Sequence, residues 1–410
     1  MSLAFLALSS LYSQPSLIHL SLQAKVKPDD VAPVIVTWCS DNTEGKQFVR
    51  YGVTPDPGKK VKAVKSEYSG KAFFRADLKK LKPGEKYFYR CGSDKAGWSP
   101  VYSFSSEPDT GTFRVGIFGD TQDNENNESF QKTRIITDLL RTYSPSLILH
   151  MGDIVNDGSR TESWFDFLDV TADLNANFPL MPVLGNHDVQ NSKGDDFQKP
   201  FQDFYSLFNL PGDEVNYSFT YGDVRFIGIF SGCAQAAAEI DQVRYGPGSA
   251  ESIWLDEELS KAENDRNIDW IIVWMHYPVN SFGWSNIPKW RDNILPILEK
   301  HRVDLCIAGH RHVYERHLQA RNGITAKSGS GSALNADDGT VFITNGTAGG
   351  NPTGPGGKDI PTIAFTPDKT MYSFAVMDID SDSITYRVFD QDNSIIDIFT
   401  IYKGVLKAKN

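Results

Sequence analysis

Five apolar runs in this chain each end on side chains able to bind a metal ion. Phe113 to Phe118 leads to Asp120, Leu147 to Met151 to Asp153, and Leu180 to Leu184 to Asn186 and His187. Ile271 to Met275 leads to His276, and Leu305 to Ala308 runs through Gly309 to His310 and His312. In open α/β sheets ligands bind beyond the carboxyl ends of the strands, so five such endings converge on one crevice. Carboxylate and amide oxygens with neutral imidazoles suit two hard or borderline cations (Fe, Mn, Zn or Mg) rather than a thiolate-dependent site. His310 and His312 flank one residue, so an extended segment turns both to the same side and each can take one ion. Asp153 has two carboxylate oxygens and can bridge.

Taken singly, each of these residues has an ordinary explanation. A Gly-Asp pair after a strand is usually a turn, and one histidine at a strand end is more often a hydrogen-bonded core group. His-x-His together with Gly-Asn-His-Asp, in an ordered set of five, points instead to a dinuclear metal centre.

The elements that must position these groups begin at Phe113. From there apolar strands alternate with helical stretches such as Ser129 to Tyr143, Glu162 to Leu174, Ser252 to Ala262 and Trp290 to His301, the pattern of layered α/β structure. Ala326 to Gly339 and Pro352 to Thr370 are rich in Gly, Ser, Pro and Asp and read as loops. Tyr372 to Tyr402 returns to strand alternation and is expected to add antiparallel strands to the second sheet. Ahead of this region, Val34 to Trp38, Phe48 to Tyr51, Ala72 to Ala76 and Lys86 to Arg90 are short strands between turn signals, an all-β sandwich with Trp38 as its core aromatic. The expected division is therefore a leader or tag over 1–14, a sandwich over 15–110 and a catalytic domain over 111–405.

With 40% apolar and 23% charged residues, 410 residues suffice for two cores. The balance of 52 Asp and Glu against 41 Lys and Arg argues against a general nucleic-acid or anionic-membrane binder, so a phosphate ligand must be held locally, as bound cations would do. Cys39, Cys91, Cys233 and Cys306 lack zinc-knuckle or redox-pair spacing. Cys39 and Cys91 share the sandwich, but alternation turns Cys91 inward with Tyr89 and Cys39 outward from Trp38, which disfavours a bridge. The longest apolar stretch, Trp270 to Met275, reads as a buried strand and no membrane span is expected. Glycosylation acceptor patterns occur at Asn127, Asn216 and Asn345. The compartment stays open, with a secreted, periplasmic or cell-surface location favoured over the cytoplasm.

Gly119-Asp120, Gly152-Asp153, Gly185-Asn186-His187-Asp188, Met275-His276 and Gly309-His310-Arg311-His312 resemble the ordered signature of the calcineurin-like metallophosphoesterases. Trp270 to His276 followed by Gly309 to Arg316, behind a β-sandwich similar to a fibronectin type III module, resembles the purple acid phosphatases. The resemblance spans nearly the whole chain. It implies a four-layer αββα sandwich preceded by the all-β domain, and a hydrolase of phosphate monoesters. It assigns Asp120, Asp153 and His312 to one metal, and Asp153, Asn186, His276 and His310 to the other. His187 would contact substrate or protonate the leaving group, oriented by a carboxylate such as Asp188 or Asp153. Tyr314, Glu315 and Arg316 would be supporting or packing groups.

Two departures from the resemblance matter. The tyrosinate expected three residues after the bridging aspartate is replaced by Asn156, so the ferric charge-transfer colour should be absent. Two positions after Asp120 stands Gln122, which either coordinates the first metal through its amide oxygen or points away and leaves that place to water. After His276 the family's substrate-binding histidine pair is not visible, and Trp284 either lines the pocket or packs. The expected reaction is in-line attack by a metal-bound hydroxide on the phosphorus of a small phosphoester, across cations roughly 3.5 to 4 Å apart. A phosphodiesterase on the same scaffold, or a surface binding protein with a residual metal site, are the alternatives.

Overall fold

In the computed structural model, residues 14–43, 45–109, 111–123, 129–189, 199–232, 245–281, 288–321, 324–326, 331–354 and 362–404 are described. The N-terminal module is a sandwich of two antiparallel sheets. One orders Ser16–Leu22, Val34–Cys39, Lys71–Leu78 and Val64–Tyr68; the other orders Lys59–Lys62, Phe48–Gly52, Lys86–Ser93 and Gly97–Trp98, with Tyr102–Ser105 on the free side of Lys86–Ser93. Strict alternation in Phe48–Gly52 sends Val49 and Tyr51 inward. Trp38 is fully buried, stacks on Phe74 with centroids 5.7 Å apart, and donates its Nε1–H to Gln47 Oε1 at 2.8 Å.

All six residues of Val34–Cys39 are buried, because the outer face of this strand is covered by the second module. Thr37 Oγ1 accepts from Asn209 Nδ2, and Phe73, the register partner of Cys39, packs on Phe165. Cys39 is therefore not exposed by its outward alternation. It is 1% accessible, and Cys39, Cys91 and Cys306 are free buried thiols. Cys233 lies outside the described residues. His19 ties the modules further, contacting the Leu207 carbonyl at 2.7 Å, and the Tyr89 hydroxyl donates to the Ala176 carbonyl at 2.6 Å.

The second module stacks two seven-stranded sheets between helices. The first orders Leu180–Pro182, Leu147–His150, Phe113–Phe118, Ser373–Ile379, Ser383–Asp390, Ile395–Tyr402 and Ala333–Asn335. The second orders Tyr217–Tyr221, Val224–Ile229, Trp270–Met275, Leu305–Ala308, Val341–Asn345, Tyr314–His317 and Ile363–Phe365. The strands leading to Asp120, Asp153 and Asn186 run parallel in the first sheet, and those leading to His276 and His310 run parallel in the second. The C-terminal strands extend the first sheet rather than the second: Phe113 registers antiparallel with Ile379, which covers the edge of Phe113–Phe118 left open by its parallel neighbour. Part of the expected 326–339 loop is ordered as a strand that pairs parallel with Ile395–Tyr402. Among the described residues, no helix is long and apolar enough to cross a membrane.

Candidate metal centre

Asp120, Asp153 and His310 all adopt left-handed backbone, with φ of 55°, 51° and 67°. Non-glycine residues pay about 1 to 3 kcal/mol for such strained conformations, which persist where surrounding structure over-determines them. Here the turns that end the strands impose them. The Asp120 N–H donates to the Gly152 carbonyl, the N–H groups of Thr121 and Gln122 donate to the Asp153 carbonyl, and the Gly309 N–H donates to the His276 carbonyl. The N–H groups of Ala348 and Gly349, beyond a strand of the second sheet, donate to the Gly119 and Asp120 carbonyls of the first, so backbone from both sheets is knitted at one end and the side chains of the five strand endings meet there.

His276 is fully buried, and its Nδ1 is anchored on the Met151 carbonyl at 2.8 Å. With the proton on Nδ1, the neutral ring aims the lone pair of Nε2 into the cluster. Around Nε2 stand Asn186 Oδ1 at 3.1 Å, His310 Nδ1 at 3.1 Å and Asp153 Oδ2 at 3.2 Å. One acceptor facing three others is poorly served by a single proton, whereas a cation satisfies all of them. Asp153, His276 and His310 place ligand atoms within 4.8 Å of one another.

A second group adjoins the first through Asp153. Gln122, buried, has Nε2 3.0 Å from Asp153 Oδ2 and 3.1 Å from His312 Nε2. His312 Nδ1 is anchored on the Asn351 carbonyl at 2.9 Å, and its Nε2 lies 3.6 Å from Asp120 Oδ1. Neither carboxylate oxygen of Asp120 makes a hydrogen bond of good geometry, with the His310 N–H as the near backbone donor, and Gln122 Oε1 is likewise orphaned. Buried orphan oxygens of this kind are costly without a partner. A half-turn of the Gln122 amide exchanges its oxygen and nitrogen, placing an oxygen between Asp153 and His312. The glycines at 309 and 346 let the backbone close around this pocket, since a Cβ would lie 2.3 Å and 2.6 Å from Asp120 Oδ2 respectively. The donors and their orphan atoms thus fit a pair of cations.

The electrostatics agree. Burial raises the Asp120 carboxyl well above its ordinary value, with the positive charge of His276 opposing. Burial also pushes His276 toward the neutral form, but the charge and hydrogen bond of Asp153, then Asp120, outweigh it and raise its pKa. Asp153 is held low despite burial, by His276 first and then by His187 and His310. In the bare protein a proton on His276 does part of what cations would do, and ligand binding of a metal would release it.

His187 is half-buried at the rim. Its N–H donates to Asp153 Oδ1 at 2.8 Å and its Nδ1 to the Asn156 carbonyl at 3.0 Å. Of the two carboxylates expected to orient His187, Asp153 accepts its main-chain N–H, while Asp188 serves the neighbouring turns instead. Asp188 Oδ1 accepts the N–H groups of Ile154 and Val155, and Oδ2 accepts that of Gly185, so this carboxylate clamps the loops carrying Asp153 and Asn186. Trp284 lies outside the described residues, as does Asn127. Asn216 and Asn345 are buried, and Asn216 Oδ1 accepts from the Phe230 N–H and the Tyr245 hydroxyl, so neither side chain is open to glycosylation. Tyr314 and Arg316 both bind Asp397, linking the second sheet to the first.

The sequence reading missed His150, fully buried beneath the cluster. Its Nε2 meets Thr121 Oγ1 at 3.1 Å, its Nδ1 accepts the Gly152 N–H, and burial followed by the charge of His276 pushes its pKa down to about 3. A neutral imidazole thus props the turn just after Asp120 and the one just before Asp153. The available signal was a histidine closing an otherwise apolar strand three residues before Asp153.

Residues 113–314 match the family model for calcineurin-like phosphoesterases, and residues 15–106 match that for the purple acid phosphatase N-terminal domain. Among known proteins, an uncharacterized protein of Mycobacterium tuberculosis is 26% identical over 365 residues, covering 81% of this chain and 68% of its own. A phosphoenolpyruvate phosphatase of Allium cepa is 25% identical over 355 residues, covering 79% and 68%. The solved purple acid phosphatase from yellow lupin seeds superposes with a TM-score of 0.78 at 19% identity, covering 95% of this chain and 74% of that one.

Proposed function

We infer that this chain, a calcineurin-like phosphoesterase carrying the N-terminal domain of the purple acid phosphatases, hydrolyses small phosphate monoesters at a pair of divalent cations. The observation that carries the reading is the convergence of metal-ligand side chains from both sheets on Asp153. In this proposal Asp120, Gln122, Asp153 and His312 hold one cation, and Asp153, Asn186, His276 and His310 the other.

When bound, the cations supply Lewis acidity and charge neutralisation for in-line displacement at phosphorus, along with acidification of a coordinated water. The chain does the rest. The carbonyls of Met151 and Asn351 fix the tautomers of His276 and His312, so that each presents Nε2. His150 and Asp188 hold the turns in place. His187 has Nδ1 on the Asn156 carbonyl, which leaves Nε2 as the position that carries a proton in the charged ring and can deliver it to the departing alkoxide. Residues 15–110 buttress the helical layer of the second module through His19 and Tyr89, while residues 111–405 form the hydrolase.

The test joins metal analysis of the purified chain to a panel of mono- and diesters. Two equivalents of divalent metal with faster turnover of monoesters is the expected result. Preference for diesters would replace the monoester assignment, and full metal occupancy without hydrolysis of either class would end the enzymatic one.

A further inference from the structure

Charge is unevenly divided along this acidic chain. Residues 15–106 carry 16 Lys and Arg against 9 Asp and Glu, a net of +7, while residues 107–410 carry 25 against 43, a net of −18. Part of the excess lies on one face of the five-stranded sheet of the N-terminal module. Arg50 registers with Lys60 on one neighbouring strand and with Arg90 on the other, so three cations stand in a row across three strands, spaced by about 4.8 Å. Like charges directly opposite one another destabilise a sheet, a cost that a bound polyanion would relieve.

Aromatic rings on the same face hold these cations in place. Lys60 Nζ sits 3.8 Å from the Phe48 ring centroid, and the guanidinium carbons of Arg50 and Arg90 lie 4.8 Å and 5.1 Å from that of Trp98. Trp98 is itself fixed by donating Nε1–H to Asp94 Oδ1 at 2.8 Å, which leaves one carboxylate in the field of three cations. Stacked guanidiniums keep their N–H edges available, and those edges match phosphate oxygens. Rings already covered by cations are poor platforms for nucleobases, which single-stranded nucleic acids require, and poor inserts for a membrane interface.

We propose that this face docks the protein on a linear, base-free phosphate polyanion whose successive phosphates run along the Lys60, Arg50 and Arg90 row. The docking surface is separate from the metal cluster and does not depend on it.

The experiment is equilibrium binding of the full chain to long-chain inorganic polyphosphate, followed by Trp fluorescence, with orthophosphate present to saturate the metal centre. Affinity should fall with salt, with a slope of log K against log salt near −2 for three contacts, taking about −0.7 per contact. R50E/R90E should bind at least about tenfold more weakly, with a slope shallower by about 1.4, at unchanged turnover of a small phosphoester. R50Q/R90Q provides the same comparison should the charge reversal perturb folding, and should show an intermediate loss. Absence of binding at low salt, equal affinity in both double variants and the parent, or tighter binding to oligothymidylate or to anionic phosphatidylserine vesicles would each overturn the proposal.

Discussion

His276 Nε2 stands 3.2 Å from Asp153 Oδ2, and both side chains are sealed from water. The two residues come from different sheets, so this contact is where the halves of the hydrolase module share one electrostatic centre. Asp153→Ala should therefore abolish retention of both metals and lower activity by at least about 10³-fold. A readout independent of turnover is available: added divalent metal at 100 times its Kd should stabilise the parent by about 2.7 kcal/mol and leave the variant's unfolding midpoint in place. Two bound metals in Asp153→Ala would refute the bridging role.

His187→Ala should separate chemistry from metal holding. Its ring is fixed by a main-chain carbonyl at the rim, so kcat should drop by about 10² to 10⁴-fold while metal content stays at the parental level. The loss should shrink for substrates with acidic leaving groups such as aryl phosphates, and an equal loss for alkyl and aryl esters would count against proton delivery.

Much of the centre was legible before the fold was known, because a strand that ends in a ligand is a local pattern and five of them share a geometric rule. Asp120, Asp153, Asn186, His276 and His310 could be read this way. What escaped was non-local. His150 looks like one more strand residue until Thr121 is brought beside it. Asp188 looks like a partner for its neighbour His187 until the turns at Ile154 and Gly185 close around its carboxylate. The alternation of Cys39 is correct, yet its burial depends on a module surface that no local pattern encodes.

Gln122→Ala should weaken one of the two metals by at least about tenfold and spare the other, since Gln122 touches Asp153 and His312 but not His276. Titration calorimetry of the metal-free protein should resolve two parental events, one of them shifted in the variant. Equal weakening of both, or of neither, would remove Gln122 from the ligand set.

Iron loading should leave the protein without a visible charge-transfer band. Residue 156 is an asparagine whose carbonyl is engaged by His187, and no tyrosine is among the candidate ligands. A tyrosinate-type absorption band in the iron-loaded chain would contradict the assigned donors.

Asp304 provides a pH test remote from the metals. Burial pushes its carboxyl up to about 6, opposed by the hydrogen bond from the Ile271 N–H at 2.8 Å. Between about pH 4 and 6 the folded protein keeps a proton that the unfolded chain has released, so this residue makes stability fall as pH rises and level off above 6. The effect is on the order of 3 kcal/mol. Asp304→Asn should flatten that part of a denaturation profile, and an unchanged slope would sink the assignment.

Arg114, on the strand that leads to Asp120, donates to Asp378, 264 positions further along the chain, at 2.6 Å. The strand cannot acquire its second neighbour until that distant segment has been synthesised, although His310 and His312 emerge earlier. Non-local pairing of this kind is slow and leaves partly assembled sheets exposed. A ribosome stalled short of residue 373 would therefore present a chain bearing every candidate donor while the strand leading to Asp120 still has an open edge.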